Sequence, residues 1–313
     1  MKREEVIRAE GYHVPVLCEE SVQALVTDPN GIYIDCTFGG GGHSRRILEA
    51  LSPKGHLFGL DRDPDAAREC HIEDPRFTFV RTNFRHLRHF MDFYGIEQVD
   101  GILADLGLSS HHLDDEQRGF SFRFDGPLDM RMNSKGGQTA AELITALDRD
   151  QLGALLATYG ELKGSYRIAT LLKEASERGQ LSTIGELLTA VAPVVPERDK
   201  QSLAKLFQAL RIAVNDEIGA LHQLLSDGCQ LLAPERRFVV ITYHSLEDRP
   251  VKHFFRTGNI EGIRQTDTFG APITPLKPLQ AKPILPSQEE IALNPRARSA
   301  KLRIAIKQGN SED

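Results

Sequence analysis

Residues 39–42 are four consecutive glycines, and they follow a short apolar run that ends in Asp35. A helix-like segment, 45–51, comes next. This order predicts a strand, a tight turn and a helix start, where glycine lets the backbone approach a ligand and free N–H groups are available. Residues 56–61 form a second strand-like run that ends in Asp61, roughly 20 residues past the glycines, where nucleotide-binding units hold ribose hydroxyls. The chemistry indicated is the binding of a nucleoside.

The glycine turn differs from that of a dinucleotide site. The spacing G-x-G-x-x-G is missing, because Ser44 stands where the last glycine would fall. An acid such as Asp35 at the end of the first strand is more typical of S-adenosylmethionine (SAM) sites, where the acid and the turn meet the amino-acid half of the cofactor. The turn and the two acids together therefore favour SAM over NAD.

Two more strand ends carry side chains that could do chemistry. Residues 77–81 predict a third strand, and Phe84 follows its carboxyl end, where the ring either walls an adenine or joins the core. Residues 99–105 predict a fourth strand that ends in Asp105. A carboxylate there can accept hydrogen bonds from an amine nucleophile, and the alternative is an N-cap on an ordinary loop. We favour the functional interpretation because of the position relative to the other two acids.

A fifth strand, predicted over 238–243, has the apolar character of a strand buried in a parallel sheet. It runs into residues 244–249, His-Ser-Leu-Glu-Asp-Arg, and such a polar group at a strand end is typical of a site. The alternative is a capping box in which Ser245 and Asp248 cap a helix over 251–255. Both interpretations can hold together.

The elements that must position these residues indicate an α/β fold. The predicted architecture is a Rossmann-like, doubly wound and mostly parallel sheet, formed by 1–114 and 217–313, with an inserted domain at 115–216. The insert begins with a polar, aromatic-containing stretch up to 132, which predicts an ordered loop over a site. Its basic residues serve either solubility or RNA contact. Apolar residues at helical spacing predict insert helices over 140–145, 148–159, 165–178, 183–191 and 201–218.

The region after the insert is less regular. A helix over 216–232 is predicted to end at Pro234, after which strand signals resume at Arg237. Residues 258–286 are rich in Pro and Thr, and we expect them to be ordered only by docking. A final strand is predicted over 301–306.

Composition limits the classes of function. The chain has 313 residues, 40% of them hydrophobic, with a net charge of −6, which argues against blanket electrostatic coating of nucleic acid. No apolar run approaches the length of a membrane span and the N-terminus is charged, so we expect a cytoplasmic protein without a membrane partner. The scattered cysteines predict reduced thiols, with neither a disulfide frame nor a metal site.

Several motifs occur along the chain in the same order as in one known protein family. The chain resembles the RsmH (MraW) family of SAM-dependent methyltransferases, which modify the exocyclic N4 of a decoding-centre cytosine in bacterial 16S rRNA. The fold that this resemblance implies is a SAM-binding domain with a helical insertion. The motifs that carry it lie at 13–17, 33–44, 61–64, 105–110, 118–122, 125–132, 207–212, 244–249 and 294–299.

The resemblance implies roles for individual residues. Asp105 and His244 are expected to be catalytic, and Phe120, Phe122 and Tyr243 are further candidates for a wall that receives the flipped base. His111-His112 stands where the family commonly has proline and glutamine, and an imidazole at His112 can still donate one hydrogen bond. The residues expected to bind the cofactor are Asp35, Gly39, Gly41, Gly42, His43, Asp61, Phe84, Asp105 and His112.

The function so implied is methyl transfer from SAM to the N4 of cytosine 1402 in 16S rRNA. The expected partner is 16S rRNA in the small ribosomal subunit, and a homodimer is an open expectation. Three alternatives stay open: an amino-methyltransferase acting on another nucleic acid or a small-molecule amine, an NAD-dependent oxidoreductase, and an RNA-binding factor that retains SAM without turnover.

Overall fold

The computed structural model describes residues 15–68, 70–270 and 273–309, so His13 and Val14 of the first predicted motif lie outside the described residues. Contacts divide the chain into two compact units. We call Met1–Gly107 with Ile218–Asp313 the sheet unit, and Leu108–Glu217 the helical unit. Among the described residues, none of the helices combines the length and the apolar character needed to span a bilayer.

The sheet unit contains a seven-stranded sheet with the order β3-β2-β1-β4-β5-β7-β6. The first five strands pair in parallel and β7 is antiparallel to both of its neighbours, which confirms the predicted mostly parallel sheet. The chain reverses its direction of travel across the sheet between β1 and β4, and open α/β sheets bind ligands at such a switch point. The strands are β1 Ile32–Asp35, β2 His56–Asp61, β3 Phe77–Arg81, β4 Val99–Asp105, β5 Leu232–Thr242, β6 Leu276–Pro278 and β7 Lys301–Lys307.

Helices cover both faces of this sheet. In β5, Phe238 and Val240 join the apolar core on one face, while Val239 and Ile241 join the core on the other, and all four are fully buried. This alternation explains the continuous apolar run, because a strand covered on both faces has no solvent side. The helices of this unit are α1 Cys18–Leu25, α2 Gly42–Ala50, α3 Pro64–Arg68, α4 Leu87–Phe93, α11 Glu217–Leu231, α12 Ser245–Thr257 and α13 Gln288–Leu293.

The helical unit packs its helices around one apolar core of its own. Local sequence signals set the helix starts: Thr139, Asp148 and Thr183 each form a capping box with the residue three positions later. The predicted insert helices are confirmed within about two residues at most ends. The exception is 201–218, which stops early because Asp216 takes a left-handed φ of 45°. The helices are α5 Ser110–Asp114, α6 Ala140–Ala146, α7 Arg149–Gly160, α8 Ser165–Glu177, α9 Ile184–Val191 and α10 Lys200–Asn215.

Two predictions about the sheet were wrong. Strand β5 starts at Leu232, and Pro234 lies inside it, where the register with β4 shifts and Glu235 has a φ of 63°. An irregular ladder tolerates a residue without an N–H, so the strand begins before Pro234 rather than after it. Residues 276–278 are also not merely docked, because they form β6 through antiparallel pairing with β7. A strand this short with a proline gives almost no periodic signal.

Candidate functional site

The segment between β1 and α2 ties three strand ends together. Gly39 donates its backbone N–H to Asp61 Oδ2 at 2.7 Å, and the backbone N–H of Asp105 donates to Thr37 Oγ1 at 2.7 Å. Thr37 also donates its own N–H to Asp35 Oδ1 at 3.1 Å. The carboxyl ends of β1, β2 and β4 therefore meet around this turn, and the three predicted acids lie at one edge of the sheet.

Asp35 serves the turn from inside the protein. Its side chain is fully buried, and Ser44 Oγ donates to Oδ2 at 2.6 Å. Burial raises the pKa of this carboxyl, while the hydrogen bonds from Ser44 and Thr37 oppose the rise. Ser44, which replaces the last glycine of a dinucleotide turn, thus has a structural partner.

The glycines form a cradle with no room for side chains. Gly41 has a φ of +74°, and a Cβ there would lie 2.8 Å from the ring of Phe38. A Cβ on Gly42 would meet Pro15 at 3.0 Å. Gly41 is also the N-cap of α2 and makes no side-chain cap bond. At these positions the turn therefore presents backbone rather than side chains, which lets a ligand approach the backbone closely.

Asp105 lies between two ring side chains. Tyr243 Oη donates to its Oδ1 at 2.8 Å, and His43 Nδ1 lies 3.8 Å from its Oδ2. Burial raises the pKa of Asp105 to about 6, although His43 and Tyr243 both pull it down. The Asp105 side chain is 21% exposed, so it is the part of this cluster that a ligand can reach.

His43 is held in one tautomer by its other nitrogen. Its side chain is 5% exposed, and Nε2 lies 3.1 Å from the carbonyl oxygen of Val16, which can only accept. The proton of the neutral ring is therefore on Nε2, and Nδ1 faces Asp105 as an acceptor. Burial lowers the pKa of His43, which keeps the ring neutral although Asp105 favours its charged form.

Glu247 connects the end of β5 to the same cluster. Its buried carboxylate accepts the backbone N–H of Tyr243 at 2.8 Å, and His244 Nε2 lies 3.2 Å from Oε1. The aromatic and the imidazole that follow β5 are thus fixed by one acid. Sequence reasoning placed Glu247 in a polar motif without a partner, because nothing in the spacing shows that its side chain turns inward.

The predicted capping box after β5 was wrong. Helix α12 begins at Ser245, its N-cap is His244, and no side-chain cap bond is made there. Asp248 instead forms a bidentate pair with Arg303 of β7 at 2.7 and 3.1 Å. Burial alone raises the pKa of Asp248, but the hydrogen bond and charge of Arg303 outweigh it and leave the pKa below its usual value.

The predicted aromatic residues have different surroundings. Phe84 begins a short 3-10 helix, Phe84–His86, and is half-buried against the sheet core, so part of its ring stays accessible. Phe120 is 5% exposed inside the helical core, and Phe122 packs on Phe207 with ring centroids 5.4 Å apart. Phe120 is therefore too buried to wall a base, which corrects that expectation.

His112 belongs to the helical unit. It lies on α5, 7% exposed, with Nδ1 3.0 Å from Ser109 Oγ and its ring centroid 5.0 Å from that of Phe120. Ser109 is the side-chain N-cap of α5. The expected contact between His112 and the cofactor stays a prediction.

These residues fit SAM on the chemistry of their donors. A half-buried carboxylate at Asp61 accepts the backbone N–H of Asp63 at 2.8 Å as well as that of Gly39, and a carboxylate is the acceptor that suits the hydroxyl groups of a ribose diol. The partly exposed acid at Asp105 suits a positively charged sulfonium or ammonium group. The glycine turn allows the amino-acid half of SAM to approach the backbone closely.

Comparison with known proteins points the same way. The model of the MraW methylase family matches residues 10–308. The chain is 53% identical over 297 residues to "Ribosomal RNA small subunit methyltransferase H" of Bacteroides thetaiotaomicron, covering 95% of this chain and 97% of that protein. A protein of the same name from Parabacteroides distasonis is 53% identical over 298 residues, with the same coverage. The Porphyromonas gingivalis protein of that name is 51% identical over 302 residues, again with 95% and 97% covered.

Proposed function

The chain belongs to the MraW methylase family, and we propose that it transfers a methyl group from SAM to the exocyclic N4 of a cytosine in the 16S RNA of the small ribosomal subunit. The observation that carries this proposal is the meeting of Asp35, Asp61 and Asp105 around one glycine turn. Relatives that match nearly the whole chain carry the name of a small-subunit rRNA methyltransferase, which supports the substrate class.

We assign the cofactor contacts from the positions of the side chains. Asp61 would accept hydrogen bonds from the ribose hydroxyls, and the exposed part of Phe84 would wall the adenine. The backbone of Gly39, Gly41 and Gly42 would hold the amino-acid half. We assign Asp35 to holding the turn in shape through Ser44 and Thr37 rather than to ligand contact, because its side chain is fully buried.

Asp105 is the residue that we assign to the chemistry. Bound SAM supplies an electrophilic methyl group carried by a sulfonium. The N4 lone pair of cytosine is delocalised into the ring, and a carboxylate that accepts a hydrogen bond from N4–H favours the reactive, pyramidal nitrogen. The new N–C bond would form as the bond between the methyl carbon and sulfur breaks and its electron pair stays on sulfur, and N4 must then lose a proton. Asp105, with a pKa of about 6, is matched to accept that proton at neutral pH.

Tyr243 positions Asp105, and His43 lies beside it. Tyr243 Oη holds Oδ1, so Oδ2 is the oxygen left for the amine, and His43 Nδ1 offers an acceptor nearby at 3.8 Å. His244, fixed by Glu247, provides an imidazole wall for a base that has left its stack. Alignment of the base with the methyl group is the main contribution that the protein makes in an in-line displacement.

The helical unit is assigned to recognition of the RNA, with His112 as a further cofactor contact. Since the substrate is part of the ribosome, we place the protein in the cytoplasm. A homodimer is the quaternary state that we propose to test by sedimentation.

The test uses purified small ribosomal subunits that lack the modification, labelled SAM and the full-length protein. We expect label in 16S rRNA, recovered as N4-methylcytidine from a single position by digestion and mass mapping. Label in another nucleoside, in ribosomal protein or in neither would overturn the proposed substrate.

A further inference from the structure

Helix α12 has a buried face and a cationic face. The positions Arg249, Lys252 and Arg256 follow the i, i+3, i+7 spacing that aligns side chains along one side of a helix. Arg249 and Arg256 are exposed and Lys252 is half-exposed. We call these three residues the cationic stripe. The buried residues of the same helix are Glu247, Pro250, Val251, Phe254, Phe255 and Thr257.

The acids of α12 do not neutralise the stripe. Glu247 is buried, with its oxygens directed to Tyr243 N–H and His244, and Asp248 is paired with Arg303. Within the described ranges, none of the three stripe residues forms an ion pair. Their positive charge is therefore available to a ligand.

The stripe starts close to the proposed site and leads away from it. Helix α12 begins at Ser245, directly after His244, and its rise of about 1.5 Å per residue puts Arg249 about 6 Å along the axis from Ser245. Lys252 and Arg256 follow at further axial steps of about 4.5 and 6 Å, so the stripe extends about 10.5 Å from Arg249 to Arg256. A nucleic-acid strand presents several phosphates over that length, because they recur about every 3.4 Å along the axis. Beside the helix, Arg249 also lines a groove of about 250 Å³ with His222, Ile260 and one exposed acid, Glu261.

The rest of the chain makes a local cationic feature informative. With a net charge of −6, the protein as a whole repels a polyanion. Contact with RNA must then come from places where cations stand together without acidic partners. A helix that begins at the strand end where the base is to be received is such a place.

We infer that the cationic stripe binds the sugar-phosphate backbone of the RNA substrate beside the methylated cytosine. This inference rests on the proposed function, and it adds an RNA contact on the sheet unit to the recognition assigned to the helical unit. Guanidinium groups suit this role because they make paired hydrogen bonds to phosphate oxygens.

The test compares the full-length protein with the triple variant Arg249→Gln, Lys252→Gln and Arg256→Gln. Binding to unmodified small subunits is measured at several salt concentrations, and SAM binding is measured by calorimetry. Because each lost phosphate contact on a single strand removes about 0.7 from the slope of log K against log salt, we expect the slope to fall by about 2. SAM affinity and thermal unfolding should stay as in the wild type.

The matched control removes the same charge elsewhere on the sheet unit, through Lys54→Gln, Lys277→Gln and Lys282→Gln, all exposed residues. Its salt slope should stay within about 0.5 of the wild type. Equal slopes for both triple variants, or an unchanged slope for the stripe variant, would overturn the inference. If the stripe variant unfolds, the single variants Arg249→Gln and Arg256→Gln are measured in its place, each with an expected fall of about 0.7. Wild-type protein that methylates no rRNA would instead refute the proposed function, so the two failures are distinguishable.

Discussion

The sheet unit and the helical unit differ in where their acidic side chains lie. The sheet unit buries Asp35 and Glu247 behind its strand ends, where they accept hydrogen bonds from backbone N–H groups and from the hydroxyl of Ser44. The helical unit places its acids and hydroxyls at exposed helix starts, as in the capping boxes of Thr139 and Asp148. Burial raises the pKa of Asp35, whereas the capping boxes lower the free energy of individual helices.

The difference in burial indicates which unit carries the catalytic residues. Burying an ionisable group costs free energy unless hydrogen bonds or a charge partner compensate for it. Clusters of such groups are therefore found mainly at functional sites. Helix caps are exposed, so they carry no such burial cost, and they follow from the local sequence. We therefore expect changes in the buried cluster to act on methyl transfer, and changes at the helix caps and internal hydrogen bonds of the helical unit to act on stability.

The largest effect is expected from Asp105→Asn. The variant keeps the shape of the side chain but removes the group that accepts the N4 proton, so the rate at saturating SAM should fall by about 100-fold or more. The free energy of unfolding at pH 7 should stay equal or rise, because burial raises the pKa of this carboxyl to about 6 and its ionised form destabilises the fold. Initial rates and urea unfolding measure the two quantities.

The matched control for this substitution is Asp148→Asn at the start of α7. Asparagine caps a helix about as well as aspartate, so neither rate nor stability should change by more than a small amount. Full activity in Asp105→Asn would remove the chemical distinction between the two units.

The second largest effect is expected from Asn215→Ala in the helical unit. The buried amide of Asn215 accepts the N–H of Met132 at 2.8 Å and donates to the carbonyls of Met130 and Arg211 at 2.7 and 2.9 Å. Leaving these groups without their partner should lower the free energy of unfolding by about 2–3 kcal/mol, measured by urea denaturation.

SAM affinity should be unaffected in Asn215→Ala, because every contact of that side chain named above lies within the helical unit. The exposed Gln138→Ala serves as the control for amide removal and should cost little. A large loss of SAM binding in Asn215→Ala with stability intact would contradict the assignment of Asn215 to stability and of SAM binding to the sheet unit.

A smaller effect is expected from Thr183→Ala at the start of α9. The Thr183 hydroxyl accepts the N–H of Glu186, and Glu186 bonds back to the cap in a capping box. Its loss should cost about 1 kcal/mol of unfolding free energy, and Thr183→Ser should restore most of it. The measurement is again urea unfolding, and an alanine variant as stable as the wild type would show that this cap contributes nothing.

The smallest effect, a shift in a pH profile, is expected from Tyr243→Phe. The wild-type rate should fall as the pH drops through about 6, because Asp105 then protonates and no longer accepts from N4. The Tyr243 hydroxyl stabilises the ionised carboxylate, so its removal raises the pKa further and moves the inflection to higher pH. The loss should be several-fold at pH 6 and minor at pH 8, by analogy with a single lost hydrogen bond.

Tyr166→Phe, which removes an exposed hydroxyl from the helical unit, is the control and should leave the profile in place. An inflection that moves to lower pH in Tyr243→Phe would mean that Asp105 is not the titrating group.

Much of the sheet unit could be predicted from the sequence, because its strands are apolar runs that end in charged or polar residues. The positions of Asp35, Asp61 and Asp105 follow from that pattern alone. Strands β5 and β6 were harder, since Pro234 and Pro278 interrupt the periodic signal, and their pairing depends on neighbours that are distant in sequence.

The contacts inside the site could not be predicted. The bond from Tyr243 to Asp105 joins residues 138 positions apart, and nothing in either motif indicates it. Phe120 shows the opposite problem, because alternation of aromatic and polar residues in a loop is compatible with both a base-binding wall and a core. Burial decides between them, and burial depends on the folded helices around the loop.

The proposed function requires the methyl donor to bind at the carboxyl ends of β1, β2 and β4 in the sheet unit. Hydrogen–deuterium exchange of the full-length protein, with and without SAM, tests it most directly. We expect SAM to slow exchange in peptides that contain residues 37–43, 61–63 and 105–107. Protection confined to other peptides, or none at saturating SAM, would contradict it.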